Sequence, residues 1–332
     1  MNKPLSFSAF VIVALVLTAA CGDDTATNLD ENESTNTDPK PEATSSWNKR
    51  APLPTPRQEV PHAPLNGKIY VPGGLLSFGL GSNRVEVFDP STDSWSSAPS
   101  LSIPVHHTGL TNHKGVLYLM GGYGGSGFTP TDDIYVLHPG SSNWNSVGLM
   151  PIKRGAHVIE SFADKIYVFG GVTSLGVTNT TMSYDPVTKQ WETLSSMPTR
   201  REHLASTVLD SLIYLVGGRD FSGPGNAPSL EAYSPETDRW YILKNMPTAR
   251  GGLAAAAMNG KLYAFGGESP GVFSKSEEYD PKTNAWTQVE DMATPRHGMG
   301  AVTVGDTIFL IGGAEVEGFG VSGANEGFTI TD

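Results

Sequence analysis

The chain has 332 residues, of which 38 are glycine, 24 are proline and only 17% are charged, a composition typical of a turn-rich all-β protein. Its formal net charge of −12 argues against nucleic acid as a partner, because nucleic-acid binding needs a basic surface. A single cysteine excludes a set of intramolecular disulfides, so the fold must depend on packing.

The first 21 residues have the pattern of a secretory signal. Lys3 precedes an apolar run from Leu5 to Leu17 that is too short to span a bilayer, and small residues lead to Cys21. The segment resembles the signal of bacterial lipoproteins, which implies cleavage before Cys21, lipidation of that cysteine, and membrane attachment through the lipid alone. Gly22 favours the outer membrane within this resemblance. The alternative is an ordinary signal peptide whose cysteine is incidental.

Residues 22–45 follow as an acidic spacer. They contain seven acidic residues against one basic residue, and few of the others are apolar. A surplus of one charge with little apolar surface predicts a disordered tether. We therefore expect the folded domain to occupy residues 46–332.

From there on the sequence repeats with a period of 46 to 49 residues. The two markers of the repeat are a glycine pair and a tryptophan. The glycine pairs begin at Gly73, Gly121, Gly170, Gly217, Gly266 and Gly312, and the tryptophans are Trp47, Trp95, Trp144, Trp191, Trp240 and Trp286. Each copy contains four short apolar runs separated by turn residues, which predicts a four-stranded antiparallel sheet as the repeating unit.

The repeat resembles the kelch family, in which a glycine pair ends a hydrophobic strand and is followed by a Tyr-Asp-Pro-like turn and a spaced tryptophan. This resemblance extends from Trp47 to the C-terminus and implies an all-β, six-bladed kelch β-propeller. Trp47 has no glycine pair before it, and Gly312 has no tryptophan after it. The N-terminal strand around Trp47 should therefore complete the last blade, which leaves no unfinished edge.

An arginine recurs 16 residues before the first glycine of the pair. It is found in five of the six copies, as Arg57, Arg154, Arg201, Arg250 and Arg296, whereas the second copy has Val105. One interpretation is a ring of guanidinium groups around one mouth of the central channel, suited to a carboxylate or phosphate. The adaptor members of the family that serve ubiquitin ligases grip acidic peptides in this way. The other interpretation is a packing residue bonded to carbonyls or acids between strands.

The loops between the second and third strands should lie on the same face as these arginines. Five of the six loops contain a phenylalanine, namely Phe78, Phe128, Phe221, Phe273 and Phe319. Exposed aromatic side chains on glycine-rich loops would form a platform for a sugar or a peptide. Alternatively, each ring folds under its own loop.

No cofactor or metal site is expected. Gly122, Gly124 and Gly127 match a dinucleotide fingerprint but lie between two strands, where no helix can bind a pyrophosphate. The histidines near the arginine position occupy non-equivalent places along alternating strands, which predicts no common metal cluster. The copper radical oxidases of the superfamily need a tyrosine bonded to a cysteine, and Cys21 lies outside the propeller.

The prediction for function is a monomeric, envelope-anchored binding module that recognises an anionic glycan, peptide or protein partner. The alternative is a periplasmic sugar epimerase or mutarotase resembling the sialic acid epimerases. In that case Glu59, Glu202 or Glu268, beside the arginine positions, would act as the catalytic base.

Overall fold

The computed structural model describes residues 44–125, 127–223 and 225–331, which form six four-stranded antiparallel sheets. We call these sheets blades 1 to 6 and label their strands A to D from the axis outwards. Among the described residues, no helix has the length and apolar composition needed to cross a bilayer.

The blades follow one another along the chain, and in blades 1 to 5 the strands A to D also follow the chain order. Blade 1 comprises Ala63–Leu65, Lys68–Pro72, Val85–Asp89 and Ser94–Ser97. Blade 2 comprises Gly109–His113, Val116–Met120, Asp133–Leu137 and Asn145–Leu149. Blade 3 comprises Val158–Phe162, Lys165–Phe169, Thr181–Asp185 and Gln190–Leu194. Blade 4 comprises Ala205–Leu209, Leu212–Val216, Leu230–Ser234 and Arg239–Ile242.

Blade 5 comprises Ala254–Met258, Lys261–Phe265, Ser276–Asp280 and Ala285–Gln288. Blade 6 comprises Gly300–Val304, Thr307–Ile311, Asn325–Thr331 and Thr44–Lys49. Short strands in the loops are Val105–His106, Tyr123–Gly124, Thr129–Pro130, Val172–Thr173, Gly176–Val177, Arg219–Asp220 and Gly225–Asn226, and a 3-10 turn covers Ser77–Gly79.

The six strands A contact one another in a closed ring, from blade 1 through blade 6 and back to blade 1. They surround a central cavity of about 490 Å³. The described residues thus form a six-bladed β-propeller, as the repeat predicted. Small residues predominate in these strands because neighbouring blades crowd together here. A Cβ on Gly109 would lie 2.6 Å from Cγ2 of Ile159 in the next blade.

The ring closes through the N-terminal strand. Thr44–Lys49 pairs antiparallel with Asn325–Thr331, and Trp47 lies opposite Phe328. The predicted completion of the last blade is confirmed, with the strand beginning two residues before the predicted boundary at residue 46. The predicted signal with Cys21, and the predicted tether up to residue 43, lie outside the described residues.

The core lies between neighbouring blades. Strand B is buried on both faces, so its side chains reach the blades on either side. One hydrophobic cluster, for example, joins Val216 and Leu230 of blade 4 to Leu262 and Ala264 of blade 5. Each blade is therefore stabilised mainly by its neighbours, as expected when one sheet alone cannot bury its apolar faces.

The glycine pairs connect successive blades through the backbone. The second glycine of each pair donates its N–H to the carbonyl at the arginine position of the next blade, and Gly313 closes the series by donating to Arg57 O at 2.8 Å. Both glycines of every pair have positive φ. A Cβ on Gly170 would lie 2.6 Å from Arg201 O. The glycine pair therefore lets the backbone of the next blade approach closely.

Candidate functional site

One face of the propeller, which we call the loop face, carries the connections most able to bind a ligand. It consists of the B–C loops and the D–A connections between blades. The B–C loops are residues 73–84, 121–132, 170–180, 217–229, 266–275 and 312–324, and the D–A connections are residues 50–62, 98–108, 150–157, 195–204, 243–253 and 289–299. Backbone bridges such as Glu202 to Arg219 and Gly251 to Glu268 join the two sets, so they share one face as predicted.

The five repeated arginines do not form an exposed cationic rim, and that prediction is wrong. All five side chains are fully buried, with 0% of their surface exposed. Four of them form ion pairs with a glutamate on strand C of the same blade. The pairs are Arg57–Glu86, Arg201–Glu231, Arg250–Glu277 and Arg296–Glu326. The other interpretation, a packing residue, is the one that the structure supports.

Arg201 shows what this residue does. Its guanidinium donates to Glu231 Oε2 at 3.0 Å and to the carbonyls of Leu215 at 3.2 Å and Ser229 at 3.3 Å. Burial lowers the pKa of Arg201 to about 10, which still leaves it charged at neutral pH. Buried charges persist in proteins when they are paired and hydrogen-bonded, so this arginine ties strands B and C to the start of the blade.

The other two blades show that the glutamate occurs only where the arginine is present. Blade 2 has Val105 at the arginine position and Ile134 at the glutamate position. In blade 3, Met182 takes the glutamate position, and Arg154 donates instead to Gly170 O at 3.0 Å and to Met182 Sδ at 3.3 Å. Each of the four buried glutamates at this position is paired with an arginine.

Four of the five predicted phenylalanines are exposed on the loop face. Their exposure ranges from 95% for Phe78 to 50% for Phe128, with Phe221 and Phe319 between them, whereas Phe273 is partly buried. Phe128 of blade 2 and Phe319 of blade 6 meet with ring centroids 6.2 Å apart, although blade 1 separates their loops. Four of the five phenylalanines are thus exposed, and their role as a binding platform stays a prediction.

A closed ring of backbone hydrogen bonds surrounds the axis below this platform. The residue two positions after each arginine position donates its N–H to the carbonyl of the equivalent residue in the preceding blade, at 2.6–3.2 Å. All six have φ between +49° and +65°. They are Glu59, His107, Ala156, His203, Gly252 and Gly298. The left-handed backbone breaks the strand alternation here and directs the three large side chains of this set towards the axis.

Seven polar side chains form what we call the mouth cluster. They are Glu59, His107, Glu202, His203, Arg219, Glu268 and His297. Glu59 lies at its centre, with Oε2 3.6 Å from His107 Nε2 and Oε1 3.8 Å from His203 Nε2. His297 Nδ1 lies 3.7 Å from the same Oε1. Side chains from blades 1, 2, 4 and 6 thus meet at one point.

Arg219 connects the remaining members of the mouth cluster. Its Nε donates to Glu202 Oε1 at 2.7 Å, and its Nη1 pairs with Glu268. Glu202 in turn contacts His203 Nδ1. Burial alone would lower the pKa of Arg219, but the carboxylates of Glu202 and Glu268 outweigh it and raise the pKa. Two carboxylates, those of Glu202 and Glu268, therefore share one guanidinium.

Two histidines of the mouth cluster, His107 and His203, have pKa values shifted in opposite directions. Burial, with His203 and His106 nearby, holds the pKa of His107 well below its usual value, so His107 is neutral. Burial also acts against charge on His203, but Glu202 and Glu59 outweigh it and raise its pKa. Burial would raise the pKa of Glu202, yet His203 and Arg219 lower it. Strongly perturbed groups in a concave site are typical of functional sites.

The structure corrects the expectation that the histidines share no cluster. Glu59, His107 and His203 each place a possible metal-ligand atom within 4.8 Å of the others. The three candidate bases, Glu59, Glu202 and Glu268, also converge in the mouth cluster. The signal available in the sequence was the repeat position of Glu59, His107 and His203, which is the same in blades 1, 2 and 4.

Comparisons with known proteins agree with this architecture. The family model described as the KLHDC2/KLHL20/DRC7 Kelch-repeats domain matches residues 64–246 and again 106–313. Kelch-like protein 35 of Mus musculus is 29% identical over 180 residues, which cover 54% of this chain and 30% of that protein. Beta-scruin of Limulus polyphemus is 31% identical over 182 residues, which cover 52% of this chain and 20% of that protein.

The chain therefore spans less than half the length of these curated relatives. Among solved structures, that of YjhT superposes with a TM-score of 0.73 and 16% sequence identity, and the match covers 85% of this chain and 99% of that one. At that identity, the likeness concerns the fold alone.

Proposed function

Because the chain belongs to the family of the KLHDC2/KLHL20/DRC7 Kelch-repeats domain, we propose that it is a binding module that holds a protein or peptide partner on its loop face. Kelch-repeat propellers are commonly protein-binding modules. The proposal concerns a partner and a surface of this chain, and it rests on the distribution of apolar and charged side chains.

The main support for this proposal is the distribution of exposed apolar residues. Among the described residues, twelve large apolar side chains are exposed, and eight of them lie on the loop face. These eight are Phe78, Leu80, Phe128, Ile152, Leu175, Phe221, Val316 and Phe319. Large apolar side chains concentrated on one face and surrounding a polar centre are typical of an interaction surface.

The charges at the centre of this face indicate the chemistry of the partner. The mouth cluster has three carboxylates but only one guanidinium, that of Arg219, which pairs with two of them, and the exposed Glu315 and Glu317 lie in the neighbouring B–C loop of blade 6. The five repeated arginines are buried, and the exposed Lys153 and Arg200 on this face lie beside the carboxylates of Asp132 and Asp220. We therefore favour a peptide segment that presents an apolar side chain beside a lysine or arginine.

A matched set of serine variants tests this proposal against a display library of linear peptides. Selection on the full-length chain is expected to enrich peptides with a basic residue next to an apolar one. Replacing Phe128 and Phe319 together by serine should weaken the selected peptides at least about tenfold, because the two exposed rings contact each other and Phe128 packs on His107 of the mouth cluster. The control Val187→Ser changes an exposed apolar residue in the C–D turn of blade 3, and binding should be unchanged. Equal binding to all variants, or enrichment of acidic peptides, would contradict the proposal.

The second candidate function, a sugar epimerase or mutarotase, is favoured by the convergence of Glu59, Glu202 and Glu268 beside His203. Such an enzyme needs a base and a cation to hold the acid group of the sugar. In this chain the cation would be Arg219, whose guanidinium already contacts two carboxylates. Polarimetry with N-acetylneuraminic acid tests this candidate: faster mutarotation that is lost in Glu202→Gln would favour the enzyme over the binding module.

We also propose that the chain is attached to a bacterial cell envelope, with the outer membrane favoured, through a lipid on Cys21. The support is the apolar run from Leu5 to Leu17 followed by small residues and the cysteine. Metabolic labelling with a palmitate analogue is expected to label the wild-type chain and not Cys21→Ser. Absence of label on the wild type, or equal label on both chains, would exclude lipidation at this position.

A further inference from the structure

We propose that Glu59, His107 and His203 bind one divalent transition-metal ion at the mouth of the central channel. One possible ligand atom of each lies within 4.8 Å of the others. Two imidazoles and a carboxylate form a ligand set found in zinc and non-haem iron sites. This inference is independent of the proposed partner binding.

The backbone holds the three residues in place for this role. Each lies in the ring of backbone hydrogen bonds around the axis, and each has φ near +50°. Their Cα atoms are therefore fixed by neighbouring blades and not by a flexible loop. A site whose ligands sit on a rigid frame loses little entropy when the ion binds.

The hydrogen bonds of His107 leave a nitrogen lone pair directed at Glu59. His106 Nε2 lies 3.1 Å from Gly127 O, and a carbonyl only accepts, so His106 Nε2 carries its proton. His106 Nδ1 is then the acceptor of the contact with His107 Nδ1. His107 Nδ1 must donate in that contact, and the neutral ring has only one N–H. Its Nε2 therefore presents a lone pair to the carboxylate of Glu59, 3.6 Å away.

His203 has the corresponding arrangement. Its Nδ1 contacts the carboxylate of Glu202, whose other oxygen accepts from Arg219 Nε. Its Nε2 faces Glu59 Oε1 at 3.8 Å. A histidine held at one nitrogen by a carboxylate, with the other nitrogen free, is the usual arrangement of metal-binding histidines, because the outer carboxylate fixes the tautomer and the ring orientation.

His297 provides a second, independent observation. Its side chain is only 1% exposed, and its Nδ1 has no hydrogen-bond partner. Its Nε2 lies 3.1 Å from Val316 O, so the proton belongs on Nε2 and the Nδ1 lone pair faces Glu59 Oε1 at 3.7 Å. Three imidazole nitrogens thus surround one carboxylate whose side chain is only 12% exposed. The lone pairs on these nitrogens and the negative carboxylate repel one another. A metal ion between them, or protons on the rings, removes this repulsion.

The ligand types restrict which ion fits. Imidazole nitrogen favours zinc, cobalt, iron or nickel, whereas magnesium and calcium prefer oxygen ligands. Phe128 packs against His107 with centroids 5.7 Å apart and is half exposed. A bound ion would therefore lie at the base of the loop face, with coordination positions open to a ligand.

Titration with cobalt tests the site on the full-length chain, produced without a polyhistidine tag and treated with chelator. We expect about one equivalent of Co²⁺ to bind at neutral pH with visible d–d absorption, Zn²⁺ to displace it, and Mg²⁺ and Ca²⁺ to have no effect. His107→Ala, His203→Ala and Glu59→Gln should each weaken binding by at least about tenfold, and Glu202→Gln by about tenfold.

The matched control is His138→Ala, because His138 is an exposed histidine in the C–D turn of blade 2 and should leave binding unchanged. Circular dichroism establishes that each variant folds, and His203→Gln replaces His203→Ala if the latter does not. If no cobalt spectrum appears, or if the His203 and His138 variants bind equally well, then no metal site exists here, and protons on the histidines neutralise the cluster.

Discussion

Replacing Arg201 by valine is expected to lower the free energy of unfolding by about 3–5 kcal/mol, because Glu231 would be left as a buried carboxylate without a counter-ion. Both side chains are at most 2% exposed, so solvent cannot compensate for the lost partner. Denaturant unfolding of the purified variant measures the change. A loss below about 1 kcal/mol, typical of an exposed ion pair, would contradict the buried arrangement.

The chain itself provides the controls for this prediction. The double variant Arg201→Val with Glu231→Ile reproduces the pair found in blade 2, and we expect it to recover at least half of the loss. Recovery should be incomplete because the guanidinium also donates to the carbonyls of Leu215 and Ser229. Arg154→Val should cost less than Arg201→Val, since Met182 replaces the glutamate in blade 3.

The second large effect is expected at the closure of the ring. Trp47→Ala should lower the free energy of unfolding by about 2–4 kcal/mol, since the side chain is partly buried. Trp47 packs against Phe265 at 5.5 Å and Phe328 at 5.0 Å between ring centroids, and its Nε1 donates to Glu290 O. Trp191→Ala in blade 3 is the matched control, because Trp191 has the same position in a blade formed from continuous sequence.

An engineered cross-link gives the complementary test of closure. Ser46 and Thr329 are directly paired, with their hydroxyl oxygens 2.9 Å apart. Cysteines at both positions, in a Cys21→Ser background, should form a disulfide that stabilises the propeller by about 2–4 kcal/mol under oxidising conditions. A Trp47→Ala variant as stable as the wild type, together with a cross-link that does not form, would show that the N-terminal strand is not part of blade 6.

The sequence contains a signal for the burial of the arginines, but the arginine positions by themselves do not show it. They lie shortly before the first strand of their blades, in five of the six copies. Whether the side chain points to solvent or into the blade depends on its partner on strand C. Glu86, Glu231, Glu277 and Glu326 recur at one position of the repeat, and the glutamate is missing where the arginine is missing. Pairing the two repeat positions would have predicted an internal ion pair.

The clustering of the histidines was harder to predict. Alternation along a strand suggested that His106 and His297, one residue after the arginine position, point away from His107 and His203, two residues after it. The positive φ at His107 and His203 breaks that alternation, and the identity of a non-glycine residue does not predict a positive φ. The contact between Glu59 and His203 also joins blades on opposite sides of the axis, so it exists only once the ring is closed.

The number of blades, their strand order and the completion of the last blade by Trp47 follow from the amino-acid sequence alone, because each depends on the period of the repeat and on which markers are missing at the two ends. The burial of the arginines and the meeting of Glu59, His107 and His203 on the axis were decided by the folded ring, because both depend on contacts between strands and blades that lie far apart in the sequence.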